Sequence, residues 1–322
     1  MYPPLLQAIS LNCSLWQENN LSVQHFAFAW FSKLPEQGAL LFTLVLLLFL
    51  MSLTGNPLIA LAIWSNPSLH MAMYFFLANL SLEISYTCCV TAKMLQSLVR
   101  EAQRISQEGC ATQMFFTFFA ICERCLLAAM AFDRYLALCA PLHYAARMSR
   151  GVCVHLLVVS WGVGCLVGLG QTNYIFSLYF CGPCEIDHFF CDLPPILALA
   201  YGYTSHNETV VFVMAMLSIS SPFLLIIAFY GRILAAVLVM PSPECCCKSL
   251  ATCSSHLLVM KLFYGSGSIS YLNPKASHSP GMVKLLSLFY TVLTSRLNPI
   301  IYSLRNKEVK AALWRILGRK RL

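Results

Sequence analysis

Charged residues are scarce in this 322-residue chain. Asp, Glu, Lys and Arg make up 11% of it, whereas hydrophobic residues make up 58%. A soluble globular domain usually carries about 25% charged residues. So little polar surface cannot cover a chain of this size in water. The composition therefore excludes a soluble protein and makes lipid the solvent for much of the chain.

Several sequence features that are missing from the chain exclude further classes of membrane protein. Residues 1–38 lack the basic and apolar segments of a secretory signal peptide, so we expect the first apolar run to act as an uncleaved signal anchor. The apolar runs carry no paired catalytic aspartates and no zinc-spaced histidines, which argues against an intramembrane enzyme. They show no inverted repeat with Gly and Pro breaks in matching halves, which argues against a transporter or channel. No cysteine follows Cys253, so the C-terminal tail has no palmitoylation site.

What the chain does contain is a series of long apolar runs. They cover residues 39–64, 71–95, 111–139, 152–171, 209–239, 250–272 and 282–303. Each is near or above the ~20 residues that a spanning helix needs. Seven of the 21 Lys and Arg residues lie in the C-terminal tail, which the positive-inside rule assigns to the cytoplasm.

The sequence thus predicts an all-α membrane protein with a seven-transmembrane helix bundle. An extracellular tail is expected over residues 1–38, the membrane domain over 39–303 and a cytoplasmic tail over 304–322. Within that tail, Val309, Leu313, Ile316 and Leu317 share one face of the segment Asn306–Leu317. This pattern predicts a short amphipathic helix on the inner leaflet, with a frayed basic tail as the alternative.

Four motifs carry a family resemblance. The third run ends in MAFDRYLALCAPLHY (Met130–Tyr144), and the sixth begins in KSLATCSSHLLV (Lys248–Val259). The seventh ends in LNPIIYSLRNKEVK (Leu297–Lys310), and the second begins in LHMAMYFFLANLS (Leu69–Ser81). These blocks resemble the signatures of the olfactory (odorant) receptors, a branch of the rhodopsin-like, class A G-protein-coupled receptors. Each block is long, so the resemblance is more specific than a lone DRY tripeptide.

The resemblance implies an odorant receptor and not an enzyme. Such a protein would bind a small volatile odorant and activate a heterotrimeric G protein of the stimulatory class, which acts through cyclic AMP. It would lie in the plasma membrane, in contact with membrane lipid, and would have no nucleic acid partner. It needs no cofactor, and Glu83 and Glu123 are the candidate ligands of a structural Na⁺. The positions that match the family's switch are Asp133, Arg134, Tyr135, Tyr230, Asn298, Pro299 and Tyr302. In this interpretation Arg134 pairs with Asp133 until activation; the alternative is a generic interfacial salt bridge.

The ligand pocket is expected in the outer half of the bundle. Counting back from Arg134 at helical spacing places four positions on one face of the third helix, and the fifth to seventh helices supply the rest. The lining is apolar with a few hydroxyls and has no aspartate for an amine, which suits a small, weakly polar molecule. The candidate residues are Phe116, Thr117, Ala120, Ile121, Met214, Ser218, Tyr264, Gly267, Tyr271 and Thr291.

Cysteines and sequons of the predicted outer segments give further expectations. The resemblance implies a disulfide between Cys110 and Cys181 and glycosylation of Asn20, with Asn12 as a second sequon. Cys184 and Cys191 pair with each other or remain free thiols. His188, Cys191 and Asp192 also spell an HxxC[DE] pattern, whose ligand types suit copper or zinc.

Ionisable residues lie inside the apolar runs, where they are costly and usually functional. In the family, the positions of Glu83 and Glu123 face each other. Two close carboxylates in low dielectric do not both stay ionised without a cation. Either Na⁺ binds between them or one is protonated. Lys261, Arg296 and Arg124 depart from the family pattern, and their cost favours an alternative in which the chain is a poorly expressed or nonfunctional member.

Overall fold

The protein is described here by a computed structural model. It describes residues 25–28, 38–69, 71–81, 84–99, 104–118, 120–180, 185–186, 188, 190–200, 205–239, 244, 253–254, 256–258, 260–261, 264–265, 307–316 and 318. The elements in chain order are β1 (His25–Phe28), α1 (Gly38–Ser65), α2 (Ala72–Ser81), α3 (Ile84–Val99), β2 (Arg104–Ser106), α4 (Gln107–Phe118), α5 (Ala120–Cys139), α6 (Tyr144–Arg147), α7 (Arg150–Phe176), β3 (Glu185–Ile186), α8 (Leu193–Leu197), α9 (Ser205–Leu238) and α10 (Lys307–Ile316). Short 3-10 turns lie at Pro67–Leu69 and Pro141–His143.

Four helical segments are long and apolar enough to cross a membrane in the part of the chain described. They are Ala39–Ser65, Gln107–Cys139, Arg150–Phe176 and Thr209–Leu238, and they match the first, third, fourth and fifth predicted runs. In the second run the structure describes helix over α2 and α3, and residues 82–83 between them lie outside the described residues. Most of the sixth run and all of the seventh also lie outside them. The described segments are those of a multi-pass, mainly helical membrane protein.

The burial of these segments separates a central helix from peripheral ones. In Gln107–Cys139, 73% of the most apolar window is buried, against 28%, 22% and 17% in the other three. Large apolar side chains of α1, α7 and α9 such as Leu40, Leu166 and Leu224 are exposed. Apolar surface of this extent is expected to face lipid. Of these four segments, the one that carries Asp133 and Arg134 is therefore the most buried.

The residues group into two compact units. The first contains 1–45, 88–120 and 164–217, and the second contains 46–87, 121–163 and 218–322. In the second unit, α10 packs Val309 and Ala312 into a core formed mainly by α1, α2 and α5. The Tyr74 hydroxyl donates to Glu308 Oε2 at 3.1 Å, and Arg315 Nη1 donates to Asn66 Oδ1 at 3.4 Å. The predicted amphipathic helix is confirmed, with Val309, Leu313 and Ile316 on its packed face; Leu317 lies outside the described residues.

The first unit contains a small β-sheet that the all-α prediction missed. Its order is β2-β1-β3, with β1 antiparallel to β2 and parallel to β3. Phe26 and Phe28 alternate with Ala27, so both rings enter one core with Ile186 and Ile175. Phe26 meets Phe180 edge-on, with ring centroids 5.5 Å apart. The chain before α1 is thus held between two later segments.

We predict that Phe26→Ala will destabilise the protein strongly. Phe26 has no exposed surface, and truncating a buried Phe to Ala costs about 3–5 kcal/mol. His25→Ala is the matched control, because His25 lies in the same strand and is exposed. The measurement is the thermal stability of detergent-solubilised protein. Equal stability of the two variants would contradict a core role for Phe26.

Candidate functional site

The first candidate site surrounds Asp133, near the C-terminal end of α5. Pro141 begins a 3-10 turn right after α5, which brings Tyr144 back to the helix at the start of α6. The Tyr144 hydroxyl donates to Asp133 Oδ1 at 2.7 Å, and Asp133 is only 2% exposed. Burial, and then the hydrogen bond to Asp133, raise the pKa of Tyr144 well above its ordinary value. The phenol therefore stays protonated and remains a donor.

Arg134 is half-buried beside this pair. Its positive charge opposes, but does not cancel, the rise in the pKa of Tyr144. Adjacent helical positions do not share a face, so Asp133 and Arg134 point in different directions. Arg134 was the predicted partner of Asp133, but in the structure the hydrogen bond to Asp133 comes from Tyr144. The switching role of Arg134 remains a prediction.

Tyr230 of α9 meets His256 of the predicted sixth helix. The Tyr230 hydroxyl lies 2.5 Å from His256 Nδ1, and the two rings stack with centroids 5.6 Å apart. His256 is 2% exposed. His256 lies within the motif KSLATCSSHLLV, but no role was predicted for it. The signal that pointed to it was a histidine in an apolar run. We call Asp133, Arg134, Tyr144, Tyr230 and His256 the Arg134 cluster.

The other predicted switch residues divide into two groups. Tyr135 stacks with Phe132 and Phe229, at centroid distances of 6.5 and 5.6 Å. It therefore contributes to the packing between α5 and α9 beside the cluster. Asn298, Pro299 and Tyr302 lie outside the described residues, so a meeting of Tyr230 with Tyr302 stays a prediction.

The predicted pocket residues are distributed over both units. Phe116, Thr117, Ala120 and Met214 belong to the first unit, and Ile121, Ser218 and Tyr264 to the second. Ala120, Ile121 and Tyr264 are buried, Phe116 and Ser218 are half-buried, and Met214 is 39% exposed. Tyr264 packs on Phe223 at 4.8 Å between ring centroids. Only the backbone of Thr117 is described, and Gly267, Tyr271 and Thr291 lie outside the described residues.

The predicted Cys110–Cys181 disulfide is wrong. Cys110 of α4 is bonded to Cys191, with their Cα atoms 5.5 Å apart. One turn along α4 from Cys110, Gln113 Oε1 accepts a hydrogen bond of 3.0 Å from the Cys191 N–H. At the start of α8, Asp192 Oδ1 accepts a hydrogen bond of 2.8 Å from the Leu193 N–H. These contacts hold Cys191 against α4. Because a sulfur forms one disulfide, Cys181 cannot be the partner of Cys110.

The same bond removes two alternatives. Cys191 cannot pair with Cys184, and it offers no thiolate for the HxxC[DE] metal site. His188 is buried and lies edge-on to Phe190, with ring centroids 4.7 Å apart. Within the described residues, no group of three or more His, Cys, Asp and Glu side chains is arranged to hold a metal ion.

The predicted Na⁺ site and the predicted glycosylation sites fall largely outside the described residues. Glu123 is buried in α5, next to the buried Arg124. Glu83, the other half of the predicted Na⁺ site, lies outside the described residues, as do Asn12, Asn20, Cys181, Cys184 and Arg296. Lys261 is exposed. The Na⁺ site and the glycosylation sites therefore stay predictions.

Comparison with known proteins gives one consistent result. The family model described as "Olfactory receptor" matches residues 45–320. The chain is 48% identical to human olfactory receptor 10C1 over 301 residues, which is 93% of this chain and 96% of that protein. It is 48% identical to human olfactory receptor 10A5, over 92% and 95% of the two chains. It is 49% identical to human olfactory receptor 10A2, over 90% and 96%.

Proposed function

Because this chain belongs to the olfactory receptor family, we propose that it binds a small volatile odorant and activates a stimulatory heterotrimeric G protein, which raises cyclic AMP. It is a seven-span receptor of the plasma membrane, with its N-terminus outside and its basic C-terminal tail in the cytoplasm. The odorant occupies the outer half of the bundle, lined by the pocket residues predicted above. The receptor performs no covalent chemistry.

The observation that carries this proposal is the geometry of the Arg134 cluster. Tyr144 holds Asp133 by a hydrogen bond, and Tyr230 ties α9 to the sixth helix through His256. Separation of the sixth helix from α9 breaks the Tyr230–His256 contact and exposes Arg134 to the G protein. An odorant drives this change by binding the separated state more tightly than the closed one. Asn298, Pro299 and Tyr302 supply the hinge in the seventh helix.

Lys261 favours a second candidate, a family member that reaches the surface poorly. Its side chain is exposed, and in the sixth span an exposed side chain faces lipid. A Lys at the centre of a span costs about 2.5–3.5 kcal/mol on insertion scales. The two candidates differ in the amount of receptor on intact cells, which must be measured beside any signal.

The test is a cyclic-AMP reporter assay of the full-length receptor with an N-terminal epitope tag. An odorant panel is applied, and antibody labelling of intact cells gives the surface level. An odorant-evoked rise in cyclic AMP at measurable surface level supports the proposal. Normal surface labelling without a response to any odorant would contradict it, whereas weak labelling would favour the second candidate.

We predict that Tyr144→Phe raises signalling in the absence of odorant. The change removes one hydrogen bond to a buried carboxylate, and a hydrogen bond to a charged group contributes about 1.5–3 kcal/mol. If that bond exists only in the closed state, the open population rises roughly tenfold or more. Basal cyclic AMP, divided by surface labelling, is the measurement. Tyr179→Phe is the control, since Tyr179 is 63% exposed; equal basal signals in both variants would exclude a closing role for Tyr144.

A further inference from the structure

We propose that Gln171 and Thr172 of α7 are the polar recognition groups of the ligand pocket, and that they select odorants bearing a hydroxyl group. The sequence analysis assigned no role to either residue. The inference rests on the proposed function and adds to it the chemical class of the ligand.

Both residues lie on the protein-facing side of α7. Gln171 is 5% exposed and Thr172 is 9% exposed, and Ile175, one turn further on, is fully buried. The opposite side carries Leu166, which is 75% exposed. Positions three and four residues apart share a helical face, so Gln171 and Thr172 point the same way as Ile175.

The contacts of Ile175 show where along α7 Gln171 and Thr172 lie. It packs in one core with Cys110 and Met114 of α4. Two residues after Met114 comes Phe116, the first of the predicted pocket residues. Gln171 therefore lies one turn of α7 from the core that contains this part of α4, all within the first unit.

The polar atoms of the pair have no hydrogen-bond partner among the described residues. This applies to Oε1 and Nε2 of Gln171 and to Oγ1 of Thr172. Other helical threonines behave differently: Thr43, Thr54 and Thr112 each donate to the carbonyl four residues earlier, at 2.8–2.9 Å. Buried polar groups left unsatisfied are costly and rare. Since the described part of the chain supplies no partner for these atoms, we assign that role to a bound molecule.

A hydroxyl group matches this set of atoms better than an aldehyde, an ether or a hydrocarbon does. The Gln171 amide offers a donor and an acceptor, and an alcohol supplies both in return. An aldehyde or ether offers only an acceptor, and a hydrocarbon leaves every polar atom unsatisfied. Sites built around hydrogen-bonding groups reject analogues that lack the matching group. The expected order of potency is alcohol, then aldehyde and ether, then hydrocarbon.

The test uses the tagged full-length receptor in the cyclic-AMP assay. The probes are straight-chain aliphatic alcohols, each compared with the aldehyde, methyl ether and hydrocarbon of the same carbon skeleton. The variants are Gln171→Leu and the near-isosteric Thr172→Val. The control is Asn173→Leu, which removes an amide from the exposed neighbouring position. All responses are divided by surface labelling.

We expect Gln171→Leu to weaken the response to alcohols roughly tenfold and to narrow the gap between alcohol and aldehyde, with a smaller loss in Thr172→Val and none in Asn173→Leu. If the Gln171→Leu variant does not reach the cell surface, the response of the Thr172→Val variant tests the inference. An unchanged potency order in a displayed variant overturns the inference, because the partner is then a structural water. Activation only by odorants without hydroxyl groups also overturns it while leaving the proposed function standing. A displayed wild type that responds to no odorant refutes both.

Discussion

Replacing Arg134 with Ala is expected to abolish odorant-evoked cyclic AMP while leaving the surface level of the receptor close to wild type. Arg134 is the half-buried cation next to Asp133 in its cluster. The hydrogen bond to buried Asp133, however, comes from Tyr144. Removing Arg134 therefore does not leave a buried carboxylate without a donor, which is the usual cause of a severe loss of stability.

The control is Arg147→Ala, because Arg147 is an exposed cation in neighbouring α6. Both variants are assayed at matched surface labelling with the most active odorant of the panel. We expect Arg147→Ala to retain most of the signal. If Arg134→Ala signals as strongly as Arg147→Ala, Arg134 is an interfacial charge and not a switch. If Arg134→Ala disappears from the surface, the residue is structural.

Cys110→Ser and Cys191→Ser are each expected to remove most of the receptor from the cell surface. The bond joins residues 81 positions apart, and loss of a native disulfide typically costs about 2–5 kcal/mol. That is a large share of a total stability of about 5–15 kcal/mol. Because both substitutions break one bond, the double variant should be no worse than either single one.

The matched control is Cys165→Ser, which removes a free, half-buried thiol from α7. Cys181→Ser tests the pairing suggested by the family resemblance. The structure predicts that its effect adds to that of Cys110→Ser, since Cys110 is bonded elsewhere. Two results would contradict the Cys110–Cys191 bond. One is a double variant of Cys110 and Cys191 that loses more surface receptor than either single variant. The other is a double variant of Cys110 and Cys181 that loses no more than either single variant.

The long helices were predictable because their cause is local. A run of about 20 apolar residues has one favourable state in a bilayer, a helix that satisfies its own backbone. The packed face of α10 was predictable for a similar reason, since Val309, Leu313 and Ile316 recur at helical spacing. Four of the seven runs are seen as spans in the described part of the chain.

The contacts between distant segments were not predictable in this way. The bond from Cys110 to Cys191 is accompanied by a hydrogen bond between Cys191 and Gln113, which lie 78 positions apart. The bond from Tyr144 to Asp133 depends on how the chain turns after Pro141. The sheet was missed because β1 has four residues and β3 has two. Such short strands carry too little alternation to be recognised alone.

The position of β1 in its sheet has a consequence for biosynthesis. It is the central strand, yet it is made first, and its partner β3 ends at Ile186. At translation rates of about 5–20 residues per second, some 160 residues take about 10–30 s. Throughout that interval Phe26 and Phe28 have no completed core to enter, and a nascent chain released before Ile186 keeps them exposed. Prematurely terminated chains should therefore be held by chaperones through this segment, next to the N-terminus.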